Sequence, residues 1–282
     1  MDKKSKIILI SGPTASGKSD LAIKLAKKVN GEIINSDSMQ IYKEIKILNA
    51  RPKIKEIKNI THHLYGFHSV KKNFSTGDWL KKVLKIINQI QKKNKTPILV
   101  GGTGLYFKAI LSGLAKIPVI PVKYRNKIRK QHSKIGQKKF YKNLIKLDPL
   151  AKSQINANDS QRSIRAFEVK KYTNISLFKW FEKTKKYFNE KEFLKIYIYC
   201  PKEELIRRIN RRVNNMISAG AVNEVKKFRR LKVNKDKSSN KIIGISEISK
   251  FLDGEQNIDV TKVQISIKTR QYAKRQRTWA RN

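Results

Sequence analysis

The chain is 282 residues long, enough to bury a sizeable core as one large domain or as a body with an inserted lobe. Its 65 Lys and Arg outnumber 21 Asp and Glu for a formal net charge of +44, so a polyanionic partner, nucleic acid or an anionic membrane surface, is expected. Lys, Ile and Asn, which adenine- and thymine-rich codons supply, are all abundant, so the charge alone does not identify that partner. Cys200 is the single cysteine, which excludes a disulfide framework and a thiolate metal cluster and fits a reducing cytosol. The apolar run behind the charged residues 1–6 is too short for a signal peptide or a membrane span. A soluble, cytoplasmic monomer with no membrane partner is therefore expected.

Ile7 to Ile10 read as a short buried strand, and Gly12, Pro13, Thr14, Ala15, Ser16, Gly17, Lys18 and Ser19 follow at once. Leu21, Ala22, Leu25, Ala26 and Val29 then recur on one helical face, with Asn30 and Gly31 as a stop. Glu32 to Asn35 reads as a second strand ending in Ser36, Asp37 and Ser38, and an amphipathic helix is predicted from about Asp78 to Gln91. Pro97 to Val100 is a third short strand, leading into Gly101, Gly102, Thr103 and Gly104. Strands alternating with helices predict an α/β fold with a parallel sheet whose ligands lie beyond the carboxyl ends of its strands. The three informative loops, 12–19, 36–40 and 101–104, all fall at such ends.

Past Pro118 and Pro121 the pattern turns helical and basic, with Asp148 and with Asn158, Asp159 and Ser160 as helix starts. A strand from Leu194 to Cys200 returns the chain to the sheet, and Pro201 opens a helix burying Leu205, Ile209, Val213 and Met216. Gly244 marks a turn near 241–248, and a final basic helix runs from about Thr261 to Trp279. The expected organisation is a P-loop α/β core over 1–117, a mostly helical inserted lobe over 118–192, and a return to the core over 193–282.

Strand, glycine-bearing loop and helix make Gly12 to Ser19 a phosphate cradle, with backbone N–H groups curling round an anion at a helix N-terminus. Lys18 would reach the terminal phosphates, and the Ser19 hydroxyl would sit on a magnesium ion. P-loop NTPases hold that metal with an Asp at a second strand end. Here Ile98 to Val100 ends in glycines and threonine instead, and no guanine-reading signature is present, so motor or switch behaviour is disfavoured. The strand-end acid is Asp37. As a plain turn or cap residue it would be unremarked, but beside a phosphate loop a role as metal ligand or proton acceptor outweighs that.

The loop at 12–19, the run Asn35 to Lys43, Gly101 to Tyr106, Asn158 to Arg165 and Arg270 to Trp279 together resemble the tRNA dimethylallyltransferases in order and spacing, over nearly the whole chain. That resemblance implies transfer of a dimethylallyl group from dimethylallyl diphosphate to the exocyclic amine of the adenine 3′ of the anticodon. It implies Asp37 as the base, Thr103 near the leaving oxygen, and Arg208 or Arg212 as the transition-state arginine; the sequence does not choose between these two. It places Asp37, Ser38, Met39, Gln40 and Thr103 at the flipped base. It also places Gln161, Arg162, Ser163, Ile164 and Arg165 on the anticodon nucleotides, and Arg125 at the root of the lobe. Lys274, Arg275 and Arg277 would hold phosphates. An ordinary Asp pKa near 4 would keep the base ionised at neutral pH.

The same cradle could instead serve ATP in a kinase acting on a small molecule or a nucleic acid, and a non-catalytic RNA-binding P-loop protein is a further reading. His62 and His63 point to opposite sides of any regular element and lack an acidic ligand set in the sequence, so a structural or tunnel-lining role is expected. Trp79 and Trp180 are read as core residues.

Overall fold

The computed structural model describes residues 6–52, 57 and 59–281; residues 1–5 of the charged amino end, and Asn282, lie outside it. Five parallel strands form the sheet: β1 (Ile7–Ser11), β2 (Gly31–Asn35), β3 (His62–His63), β4 (Thr96–Val100) and β5 (Phe193–Tyr197), in the order β3-β2-β4-β1-β5. β1 is an interior strand, paired on both sides, with Ile8 opposite Ile98 on β4 and opposite Leu194 on β5. Its four isoleucine and leucine side chains are all buried, as a parallel strand covered on both faces requires. Because every strand runs the same way, loops 12–19, 36–40 and 101–104 emerge at one edge. Backbone bonds knit that edge together: Ser36 N–H to the Val100 carbonyl (2.8 Å), Gly101 N–H to Ile10 (3.2 Å) and Ile198 N–H to Ser11 (2.8 Å).

Helix α1 (Lys18–Lys28) leaves the first loop and stops before Asn30, whose φ of 48° is left-handed. Helix α2 (Thr76–Lys92) starts two residues before the expected Asp78, because Ser75 and Asp78 form a reciprocal capping box. It buries Trp79, Leu80, Val83, Ile87 and Ile90. Helix α3 (Gly104–Ser112) follows the glycine loop.

The chain divides into two compact units, residues 1–110 with 188–282, and residues 111–187. In the second unit α4 (Val122–Leu147), α5 (Ala151–Gln154), α6 (Ser160–Thr173) and α7 (Leu177–Glu182) pack around Phe140, Leu144, Ala166, Phe167 and Val169. Gly136 breaks α4 with φ 73°, ψ 163°. Asp159 caps α6 by accepting the Arg162 N–H at 3.0 Å. Trp180 packs against this core, its indole N–H on Thr173 Oγ1.

Back in the first unit, the strand expected over Leu194 to Cys200 is found one residue earlier and ends at Tyr197, since the chain must leave the ladder before Pro201 caps α8 (Lys202–Ser218). Helix α9 (Ala221–Arg230) follows. The turn expected at 241–248 is largely helix: α10 (Ile245–Leu252) begins directly after Gly244, whose N–H donates to Glu247 Oε2 at 2.8 Å. The last helix, α11 (Ile258–Arg281), starts before Thr261 because the Asn257 side chain accepts the Val260 N–H (2.9 Å) and fixes its first turn. No helix among the described residues is long and apolar enough to cross a membrane.

Candidate active site

The loop between β1 and α1 is built on unusual backbone. Gly12 has φ 151°, and a Cβ there would lie 2.8 Å from the Ile198 carbonyl oxygen, so the turn admits only glycine. Ala15 and Gly17 also have positive φ, of 64° and 90°. The turn folds back on itself through Ser16 N–H to the Pro13 carbonyl, and Lys18 Nζ donates to that same carbonyl at 2.6 Å. Ser16 Oγ is buried with no hydrogen-bond partner, which marks the loop as a cradle for a group that supplies an acceptor.

Asp37 stands at the end of β2. Its Oδ1 accepts the Met39 N–H at 2.9 Å, closing the turn that Asp commonly makes. Its backbone N–H donates to Asn35 Oδ1, and the Asn35 carbonyl is held by the Trp79 indole N–H. Burial pushes the Asp37 carboxyl above its ordinary range, against the opposing pull of the Met39 N–H, Lys18 and Arg212. The expectation of an unshifted Asp is thus corrected by its desolvation. Lys18 carries the matching perturbation: burial pushes its ammonium down to about 8, Arg212 adds to that, and Asp37 resists it.

The two arginines separate. Arg212, half-buried, donates from Nη1 to Thr14 Oγ1 at 3.2 Å, and burial lowers its pKa while Asp20 and Asp37 raise it. Arg208, one turn earlier, is tied by Nε to Glu204 Oε1 at 2.7 Å, with its guanidinium near Gly17. Arg207 pairs with Glu204 on the exposed side. Arg212 therefore faces the loop and the acid, and Arg208 guards the rim.

Thr103 Oγ1 accepts the Ser38 N–H at 2.9 Å and bonds Ser38 Oγ at 3.3 Å, joining the glycine loop to the Asp37 turn. Gln40 spends its amide N–H groups on the carbonyls of Asn49 and Ala50, and Met39 packs against the core. In the helical unit, Gln161 and Arg162 are exposed and Ile164 is half-buried. Ser163 is fully buried and accepts from Gln137 Nε2, so its side chain faces the unit's core and not the surface where it was expected. Arg125 and Arg165 both reach the buried carboxylate of Glu168, with Arg129 as a third guanidinium. Lys274 and Arg275 are exposed on α11, which with α8 lines a basic-rimmed groove of about 550 Å³.

His62 and His63 do point apart, but an acid accompanies them: His63 Nε2 lies 2.7 Å from the buried Glu32, which Lys95 also bonds. This is a buttress of the sheet edge, and among the described residues no group of three His, Cys, Asp or Glu could hold a metal. At the head of α1, the Ser19 hydroxyl is a hard oxygen that would suit a metal held mainly by substrate phosphates and water. That donor set suits magnesium, which keeps its waters and binds through substrate phosphates.

Two residues on α11 escaped sequence reasoning although they lie in a quoted motif. Tyr272 and Gln276, one turn apart, enter the site from its far side. Gln276 Oε1 accepts the Thr14 N–H at 2.7 Å, and its Nε2 donates to the Gly102 carbonyl at 3.1 Å. Tyr272 bonds Thr103 and Gln276, and burial, then the charge of Asp37, pushes its phenol up. Their four-residue spacing was the available signal.

A glycine-bearing loop between β1 and α1, a half-buried acid at the end of β2 and an arginine turned toward that loop define a P-loop α/β enzyme of group transfer. A family model described as IPP transferase matches residues 40–282. The chain is 60% identical over 281 residues to the tRNA dimethylallyltransferase of Pelagibacter ubique (strain HTCC1062), covering 100% of this chain and 90% of that protein. The full-length tRNA isopentenylpyrophosphate transferase from Bacillus halodurans is 32% identical with a TM-score of 0.70, over 99% of this chain and 88% of that one. A eukaryotic dimethylallyltransferase acting on tRNA is 28% identical with a TM-score of 0.84, over 98% of this chain and 69% of that one. The chain belongs to the tRNA dimethylallyltransferase family.

Proposed function

We propose that the chain carries the dimethylallyl group of dimethylallyl diphosphate to the N6 amine of the adenine 3′-adjacent to the tRNA anticodon, releasing diphosphate. The observation that carries this is the gathering of Asp37, Lys18 and Arg212 round the 12–19 loop, near enough that the charge of each shifts the others, in a chain of this family. The amine is a weak nucleophile because its lone pair is delocalised into the ring. Asp37 takes its proton as nitrogen bonds to the allylic carbon and the carbon–oxygen bond to diphosphate breaks. Proton acceptance of this kind contributes about 10²–10⁴-fold. The Met39 and Gln40 N–H groups fix the orientation of the carboxylate that accepts the proton.

Charge gathering on the leaving diphosphate is met by Lys18, by Arg212 and by the loop N–H groups, all held in place before substrate arrives. Ser19 would hold magnesium against the phosphates, where the ion would neutralise part of their charge. Thr103, bonded to the Asp37 turn, would orient the leaving oxygen. The target base must leave its stack, at a cost of a few kcal/mol; Ser38, Met39 and Gln40 would bound its pocket. Gln161, Arg162 and Arg165 would meet the neighbouring nucleotides. Arg125, the exposed Lys274 and Arg275, and the half-buried Arg277 would meet phosphates.

The test is mass spectrometry of unmodified tRNA incubated with the protein and either dimethylallyl diphosphate or labelled ATP. A gain of one prenyl group on the adenine 3′ of the anticodon supports the proposal. Label arriving from ATP, with no prenyl gain, overturns it.

A further inference from the structure

Gln276 of α11 is buried in protein, which separates it from the basic side chains on the same helix that face solvent. Gln276 is 7% exposed. Its amide uses both ends: the oxygen takes the Thr14 N–H and the nitrogen gives to the Gly102 carbonyl. Thr14 belongs to the phosphate loop after β1, and Gly102 to the loop after β4, whose neighbour Thr103 is bonded to the Asp37 turn. Gln276 thus bridges the loop that grips the leaving group and the loop that holds the base.

The surroundings are fitted to this bridge. A Cβ on Gly102 would collide with the Gln276 amide, and one on Gly104 with the Trp279 ring, so two glycines of the 101–104 loop yield their space to α11 side chains. The Trp279 ring also stacks on Phe107, with centroids 6.1 Å apart. Thr14 is held from a second side by Arg212. The Thr14 N–H is aimed at Gln276, so the diphosphate is left with the loop N–H groups beyond it.

We propose that Gln276 is a positioning residue whose side-chain amide clamps the phosphate loop to the 101–104 loop, setting the separation between the departing diphosphate and the Asp37 carboxylate. This rests on the transfer reaction assigned above. An error of about 1 Å in such a separation can cost on the order of 100-fold in rate. Clamping acts on the step in which both partners react, and only weakly on the binding of either one.

The variant Gln276→Met keeps length and apolar volume while removing both bridging bonds, together with the bond to Tyr272. Expected is a fall in kcat of about 10- to 100-fold at saturating substrates, with the Kd for dimethylallyl diphosphate within about threefold and the Kd for tRNA within about twofold. A structural role would multiply with any other lesion. A clamp that positions the base should lose its effect when the base is gone, because groups acting as a unit are strongly non-additive. In an Asp37→Asn background, Gln276→Met should therefore cost less than about threefold. Unchanged kcat, a loss residing in tRNA affinity, or a fully multiplicative loss in the double variant would each overturn the proposal. Should Gln276→Met not fold, Gln276→Glu, which keeps an acceptor for Thr14 N–H but no donor for Gly102, is held to the same criteria. The unsubstituted protein runs in parallel; its own failure to prenylate tRNA would strike the assigned reaction and not the clamp.

Discussion

Lys18 offers a test of how the 12–19 loop is poised for an anion. Burial takes its ammonium from 10.5 down to about 8. At ~1.4 kcal/mol for each tenfold change in proton affinity, that drop holds roughly 3 kcal/mol against the charged form. A bound diphosphate supplies the missing counter-charge and returns the pKa toward its ordinary value, so binding draws in a proton wherever Lys18 is neutral beforehand. The dissociation constant of the prenyl donor should accordingly be flat from about pH 7 to near 8, then weaken about tenfold per pH unit over the next unit or more. Calorimetric titration of tRNA-free protein with dimethylallyl diphosphate, repeated in two buffers of different ionisation enthalpy, gives both the affinity and the proton uptake. Lys18→Arg stays charged throughout and should flatten the alkaline limb, even where its geometry weakens binding. In the ligand-free protein the sign is opposite. The unfolded chain holds this proton up to about 10.5 and the folded chain only to about 8, so Lys18's contribution to stability rises with pH between those values. Equal donor affinities at about pH 7 and about pH 9, or an alkaline limb surviving in Lys18→Arg, would refute the account of a desolvated ammonium.

Asp37→Asn should lower turnover by at least about 100-fold in single-turnover prenylation while tRNA affinity in a filter assay stays within about twofold. Because burial holds the Asp37 carboxyl above its usual range, the acid limb of kcat/KM should lie above pH ~4 and activity should vanish as pH falls through it. Arg212→Gln removes a charge that lowers that pKa, so a pH–rate profile should show the limb moved to higher pH. A Cβ on Gly101 would run into the Ser36 carbonyl and the Asp37 amide, and Gly101→Ala should cost about 2–3 kcal/mol or more in urea unfolding. Affinity for tRNA should fall steeply between dilute and physiological salt, since Lys and Arg contacts to phosphate release counterions.

What could be read from the amino acids was what lies contiguous in the chain. The phosphate loop, Asp37 and the 101–104 glycines announce themselves because each sits within a few residues of a strand end, and an apolar run fixes where that end is. The parallel sheet follows from the same alternation. What depends on distant residues meeting was not legible. Arg208 and Arg212 share a helix face, and only the approach of α8 to Thr14, a partner 198 positions away, separates them. Ser163 belongs to a motif expected at RNA, yet its helix turns it toward Gln137. Glu32 stands two strands' worth of chain from His63 until the ladder aligns them. Asp37's raised pKa is a property of what packs round it, including the phenols of Tyr65, Tyr106 and Tyr272, whose own shifts register its charge.

The bond from Thr14 to Gln276 spans 262 positions, and β1 lies between strands whose residues come much later. During synthesis the amino-terminal segment must therefore wait for partners that the ribosome has yet to deliver, a non-local topology that folds slowly. The loops after β1 and β4 are bridged only when α11 docks. A nascent chain halted anywhere before that helix carries the 12–19 loop and Asp37 but lacks the Gln276 bridge from Thr14 to Gly102, so the two loops are tied together only after α11 is made.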